Sequence, residues 1–137
     1  FANRAGTGID EVVLRLTVEQ PVASAACVPD TTHLCLQNDR FRVSVRWQTA
    51  TGATGVGQAA ELTADTGYFW FFSSTNVELV LKVIDGRSLT GFWWVFYGAL
   101  SDVNYTITVE DTVKGLSKEY SNPQGKLASV ADTGALP

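Results

Sequence analysis

The triplet Asp-Thr-Gly occurs twice in this 137-residue chain, at Asp65–Gly67 and Asp132–Gly134. Two such copies can supply a pair of carboxylates that share one proton, the arrangement of acid proteases. The second copy lies beside the last residues, and the chain is too short for two catalytic lobes. Asp followed by Gly also suits a tight turn, because the carboxylate bonds the backbone two residues on and Gly accepts positive φ. The turn is the expected role. Arg40, Arg42 and Arg46 share one parity and would offer a row of guanidinium forks to phosphate or carboxylate; Glu and Asp on a neighbouring strand are the simpler partners. Gly52, Gly55 and Gly57 imitate a phosphate loop, but neither Gly-Lys-Ser/Thr nor a helical period follows.

Cys27 and Cys35 flank the single histidine, His33. Two thiols and one imidazole are too few for a structural zinc site. Pro29 and Asp30-Thr31-Thr32 favour a turn between the cysteines, so the pair is read as a disulfide of a secreted chain. Closing this short loop is worth about 2–3 kcal/mol in the chain-entropy model. Asp65, Asp85, Asp102, Asp111 and Asp132 all fall at expected turns. Gathered at one end they would suit calcium; dispersed, they are local caps. One histidine without a nucleophile partner is poor material for Ser or Cys catalysis. The expectation is a non-catalytic protein with no cofactor and no metal.

The elements that position these residues centre on two aromatic runs, Tyr68–Phe72 and Phe92–Tyr97. Side chains alternate between faces in a strand. Tyr68, Trp70 and Phe72 therefore oppose Phe69 and Phe71, while Phe92, Trp94 and Phe96 oppose Trp93, Val95 and Tyr97. Both faces are apolar in both runs, whereas a sandwich strand ordinarily wets one. This aromatic centre (Trp70, Phe72, Trp93, Trp94, Phe96) needs cover on its second side from a loop, a ligand or another chain. Between the runs, Val77–Ile84 carries an apolar row at Val77, Leu79, Leu81 and Val83.

Clean alternation marks two half-wet strands, Arg40–Gln48 and Val103–Glu110. Further strands are expected at Ala59–Thr63, Leu116–Ser121 and Lys126–Ala131, with Thr49–Gly57 a loop and Asn122–Gly125 and Ala131–Gly134 turns. No segment sustains a helical period. The prediction is an all-β, immunoglobulin-like antiparallel β-sandwich of seven to nine strands, with a closed barrel as the alternative. Ahead of it, residues 1–26 form an arm, a strand at Ile9–Glu19 with one apolar row (Val12, Leu14, Leu16, Val18), and the linker Gln20–Ala26. The sandwich domain is 27–137.

A net charge of −4 and a pI of about 4.8 leave no basic stripe for nucleic acid. No apolar run approaches the roughly 18–20 residues of a membrane span. The chain starts at Phe1 and contains no Met, which suggests a processed start after a removed signal peptide. Asn104-Tyr105-Thr106 is a glycosylation sequon. Cys35-Leu36 before Arg40–Val43, together with Asp65–Phe72, Glu78–Gly86, Trp94–Ser101 and Asn122–Asp132, resembles an uncharacterised β-domain that recurs in predicted secreted bacterial proteins. That resemblance covers residues about 27–134 and implies no catalytic residues.

Two functions fit. In the first, the chain is a secreted structural subunit that self-assembles as a homo-oligomer or polymer. Ile9–Glu19 is then donated to a neighbouring subunit by strand addition, giving a filament. In the second, it is a monomeric extracellular module recognising carbohydrate or protein through exposed aromatics.

Overall fold

A computed structural model describes residues 23–137, and within them the chain is all-β. The strands are β1 (Leu34–Leu36), β2 (Phe41–Gln48), β3 (Thr54–Val56), β4 (Gln58–Glu61), β5 (Thr66–Trp70), β6 (Val77–Gly86), β7 (Phe92–Ala99), β8 (Asn104–Asp111), β9 (Leu116–Asn122) and β10 (Ser129–Leu136). One helical turn, α1 (Arg87–Thr90), joins β6 to β7. The expected strand at Ile9–Glu19, with Val12, Leu14, Leu16 and Val18, lies outside the described residues.

Every strand pair is antiparallel. One sheet runs β1-β2-β8-β9, with β3 also on β2; the other runs β10-β7-β6-β5-β4. Strands β4 to β7 form a meander within the second sheet, and the chain changes sheet at β3–β4, β7–β8 and β9–β10. The two sheets share one core. Phe41, Val43, Val45, Tyr105, Ile107 and Val109 enter it from the first sheet. Phe69, Phe71, Leu79, Leu81, Val83, Trp93, Val95 and Tyr97 enter from the second. Period-two burial in β2 and β8 follows their alternating sequences, and each fully buried Val, Leu, Ile or Phe contributes about 1.5–3 kcal/mol.

Ten described strands exceed the seven to nine expected, because short pairings hide in irregular sequence. β1 spans the second cysteine of the disulfide loop, and β3 occupies part of Thr49–Gly57, expected to be loop throughout. The last strand is shifted: β10 begins at Ser129 and continues through Asp132-Thr133-Gly134 to Leu136. The turn chemistry expected of that triplet is present nonetheless. Asp132 accepts a hydrogen bond from the Gly134 N–H at 3.0 Å, and the register with β7 shifts between Asp132 and Leu136. The triplet is a bulge inside a strand rather than a turn that ends one.

The Cys27–Cys35 disulfide is formed. It braces the connection from β1 to β2, where Gln37, Asn38 and Asp39 all have positive φ. Non-glycine residues pay about 1–2 kcal/mol each for that conformation, and local bonds hold it. The Gln37 side chain donates to Asp65 Oδ1 (2.9 Å) and to the Val83 carbonyl (2.7 Å), while Cys27 N–H donates to the Asp39 carbonyl (3.0 Å).

Candidate functional site

The two copies of Asp-Thr-Gly do not meet. Val83 N–H donates to the Asp65 carbonyl, Val83 pairs with Val95, and Val95 pairs with Asp132. Three strand spacings of about 4.8 Å separate the copies by roughly 14 Å. Asp65 accepts from Gln37; Asp132 accepts from the Tyr120 hydroxyl at 2.7 Å and pairs with Lys118 at 3.3 Å. Burial pushes the Asp132 carboxyl up, but Tyr120, the Gly134 N–H and Lys118 together hold it below the usual range.

Two of the three arginines in the row find the expected carboxylates, while Arg46 lies opposite Thr106. Arg42 pairs with Glu110 at 2.7 Å, and Arg40 grips the fully buried Asp111 through Nε (3.0 Å) and Nη2 (2.9 Å). Asp111 also accepts from the N–H groups of Val113 and Lys114, so a residue expected in a turn both ends β8 and anchors the following turn. Asp85 pairs with Arg87 at 2.8 Å and holds a carboxyl lowered to about 2 by that side chain and the Arg87 N–H. Burial raises Glu78, whose carboxylate meets Asn76 at 3.1 Å. Among the described residues, no three His, Cys, Asp or Glu side chains gather to hold a metal ion. No described helix is long and apolar enough to cross a membrane.

The unusual surface is the outer side of the meander sheet. The outer face of the first sheet is polar: Arg42, Ser44 and Arg46 on β2 lie opposite Glu110, Thr108 and Thr106 on β8, with Ser117, Glu119 and Ser121 on β9. The corresponding face of the meander sheet carries Tyr68, Val80, Ile84, Trp94 and Phe96. Lys82, opposite Phe96, is its one charged residue at the centre. Val80 is 36% exposed, and Trp94 and Phe96 are half-buried.

The aromatic centre therefore divides. Trp93 points inward at 4% exposure, edge-on to Phe41 at 4.7 Å, between the guanidinium groups of Arg40 (4.8 Å) and Arg87 (4.3 Å). Trp70, Trp94 and Phe96 are half-buried on the outer face. Phe72 lies beyond the end of β5 at 50% exposure, edge-on to Trp47 at 4.8 Å. Trp94 is held in place: its indole N–H donates to Thr90 Oγ1 at 2.7 Å, and that hydroxyl donates to the Thr133 carbonyl at 3.0 Å. The indole lies over Gly86, where a methyl group would collide with the ring. Trp94 packs edge-on to Phe96 (6.1 Å), whose ring Lys82 Nζ approaches at 5.4 Å.

Beside Phe96 the face is hollowed into a groove of about 730 Å³ lined by Val80, Lys82, Phe96, Gly98 and Ala131. Gly98 makes the hollow, since a side chain there would meet only Ser129. Sequence reasoning pointed to this face through its two-sided apolar runs, but not to the groove. Its signal is the lone Gly98 directly after the aromatic run. Comparison with protein-family models, curated proteins and solved structures gives no match to this chain.

Proposed function

We propose that this chain is a non-catalytic, secreted structural subunit that assembles with copies of itself. In this reading the outer face of the meander sheet is the contact surface. The supporting observation is the difference between the two outer faces: one bears arginines, serines, threonines and glutamates, the other Tyr68, Trp70, Val80, Ile84, Trp94 and Phe96. Contiguous apolar surface on a sandwich marks a place that something else covers. A disulfide persists in oxidising compartments, which supports a location outside the cytosol. The assembly we infer is a filament of immunoglobulin-like sandwiches, each extended by Ile9–Glu19 of a neighbour.

Sedimentation velocity and electron microscopy across a concentration series test this. The expected result is growth into oligomers or filaments that the pair of changes Trp70→Lys and Phe96→Lys abolishes while the far-ultraviolet spectrum is retained. A wild-type chain that stays monomeric at millimolar concentration would refute it.

A second reading, a carbohydrate-binding module, is favoured by the groove at Gly98 beside Phe96, since aromatic faces stack on sugar rings. Saccharide-dependent quenching of tryptophan in a persistently monomeric chain would select it.

A further inference from the structure

We propose that the edge of β10 from Ser129 to Asp132, which no described strand pairs, is the acceptor for Ile9–Glu19 of a second copy; this rests on the self-assembly reading above. The hydrogen-bond phase of β10 supplies the first observation. Ser129 is paired with Gly98, and Ala99 N–H donates to the Ala128 carbonyl at 3.0 Å. This makes Ser129–Gly98 a non-hydrogen-bonded pair, and two residues on Ala131–Phe96 is another. Ser129 and Ala131 therefore turn their N–H and C=O groups away from β7, toward an edge where no described residue meets them.

The second observation lies under that edge. Leu116 and Tyr120 from β9 and Val130 from β10 pack on the core yet remain only partly buried. Among the described residues this flank is covered only in part, by the Tyr120–Asp132 hydrogen bond (2.7 Å) and the Lys118–Asp132 ion pair (3.3 Å). A further strand beside β10 with a row of apolar side chains would close it, and Val12, Leu14, Leu16 and Val18 form such a row. Eleven residues from Ile9 to Glu19 extend about 36 Å, more than the roughly 26 Å of the eight-residue β10.

The other edges are worse acceptors. β9 carries Lys118 and Glu119 in succession, and edge charges oppose pairing. On β4, the Ala59 N–H already donates to the Thr31 carbonyl at 2.8 Å. β1 and β3 are three residues each.

The point of entry favours a second copy. The described chain begins next to β8, where Ser24 N–H donates to the Thr112 carbonyl at 2.9 Å. β10 ends at the same pole, where Lys114 Nζ donates to the Pro137 carbonyl at 3.1 Å. Only four residues separate Glu19 from Ser24, too few to recross the sheet, so a chain's own Ile9–Glu19 laid along this edge would have to run parallel to β10, in a protein whose described pairs are all antiparallel. A neighbour can approach in the antiparallel sense, which is slightly the more stable.

The test uses the full chain. A photo-crosslinking amino acid replaces Thr17 in unlabelled chain, which is mixed with ¹⁵N-labelled chain lacking it, irradiated under assembling conditions and mapped by mass spectrometry. The expected crosslinks join unlabelled to labelled chain at β9 or β10. A second variant, Ala131→Pro, removes one outward N–H and leaves the ladder to β7 intact. It should raise the concentration needed for assembly about tenfold, the equivalent of one net hydrogen bond, with the thermal midpoint of the monomer unchanged. Crosslinks within one chain would overturn the proposal. So would normal assembly of Ala131→Pro with crosslinks elsewhere, and that outcome would leave self-assembly through the apolar face standing. Absence of any assembly would overturn both.

Discussion

Replacing each of two adjacent tryptophans by alanine should separate folding from assembly. Trp93 is 4% exposed, packed edge-on against Phe41 and flanked by Arg40 and Arg87 at 4.8 and 4.3 Å. Truncating a buried tryptophan costs about 3–5 kcal/mol, and each lost cation–π contact adds about 0.5–1 kcal/mol. Trp93→Ala should therefore remove a large part of the 5–15 kcal/mol typical of a domain. Trp94 is half-buried, and its polar anchor is one hydrogen bond to Thr90, worth about 0.5–1.5 kcal/mol net. With the ring's partial burial added, Trp94→Ala should cost about 1–2 kcal/mol. Urea unfolding followed by far-ultraviolet circular dichroism, at concentrations where wild type is monomeric, measures both. Sedimentation velocity at higher concentration reads assembly. Trp94→Ala should impair assembly far more than stability, and Trp93→Ala the reverse. If Trp94→Ala destabilises as much as Trp93→Ala and folded protein still assembles, the outer face is structural and is not the contact surface.

Asp111→Asn should destabilise by about 3 kcal/mol. It leaves the Arg40 guanidinium, whose side chain is only 18% exposed, without its counter-charge; thermal melts check it. The same pair sets an acid limit. Burial alone would raise the Asp111 carboxyl, but Arg40 and the N–H groups of Val113 and Lys114 hold it below its ordinary 3.8. Its stabilisation is whole above that unfolded value and is lost as pH falls through the lower folded one, so the melting temperature of Asp111→Asn should fall less than wild type's below pH 4. Reducing the Cys27–Cys35 bond should cost about 2–3 kcal/mol, and mass measurement with alkylation should find no free thiol before reduction.

The alternation of Phe41, Val43 and Val45, and of Tyr105, Ile107 and Val109, announced strands with one buried face, because polar neighbours left only one choice. The aromatic runs offered no such contrast. Phe69 and Phe71 point inward rather than Tyr68 and Trp70, for reasons of distant contact. Gly67 has the same phase and leaves the space that Leu34 of the other sheet fills. In the same way Trp94 turns outward over Gly86 while Trp93 meets Phe41. Gly67 faces Leu34 of the other sheet and Gly86 faces Trp94 across the β6–β7 connection, so neither contact shows in the aromatic run alone. The continuation of β10 past Asp132-Thr133-Gly134 was hidden because an Asp–Gly turn and a bulge use the same local bond. Only Ala135 and Leu136, buried beyond it, show that the strand goes on.

The unlike outer faces have a consequence that needs no partner. A plate with guanidinium and carboxylate groups on one side and indole and phenyl rings on the other is an amphiphile the size of a whole domain. At a boundary between water and air or oil, its polar sheet stays hydrated while Tyr68, Trp94 and Phe96 turn toward the other phase. Dilute chain should then collect at that boundary as an oriented film, all copies facing the same way, and a fall in surface tension on adding it would show this.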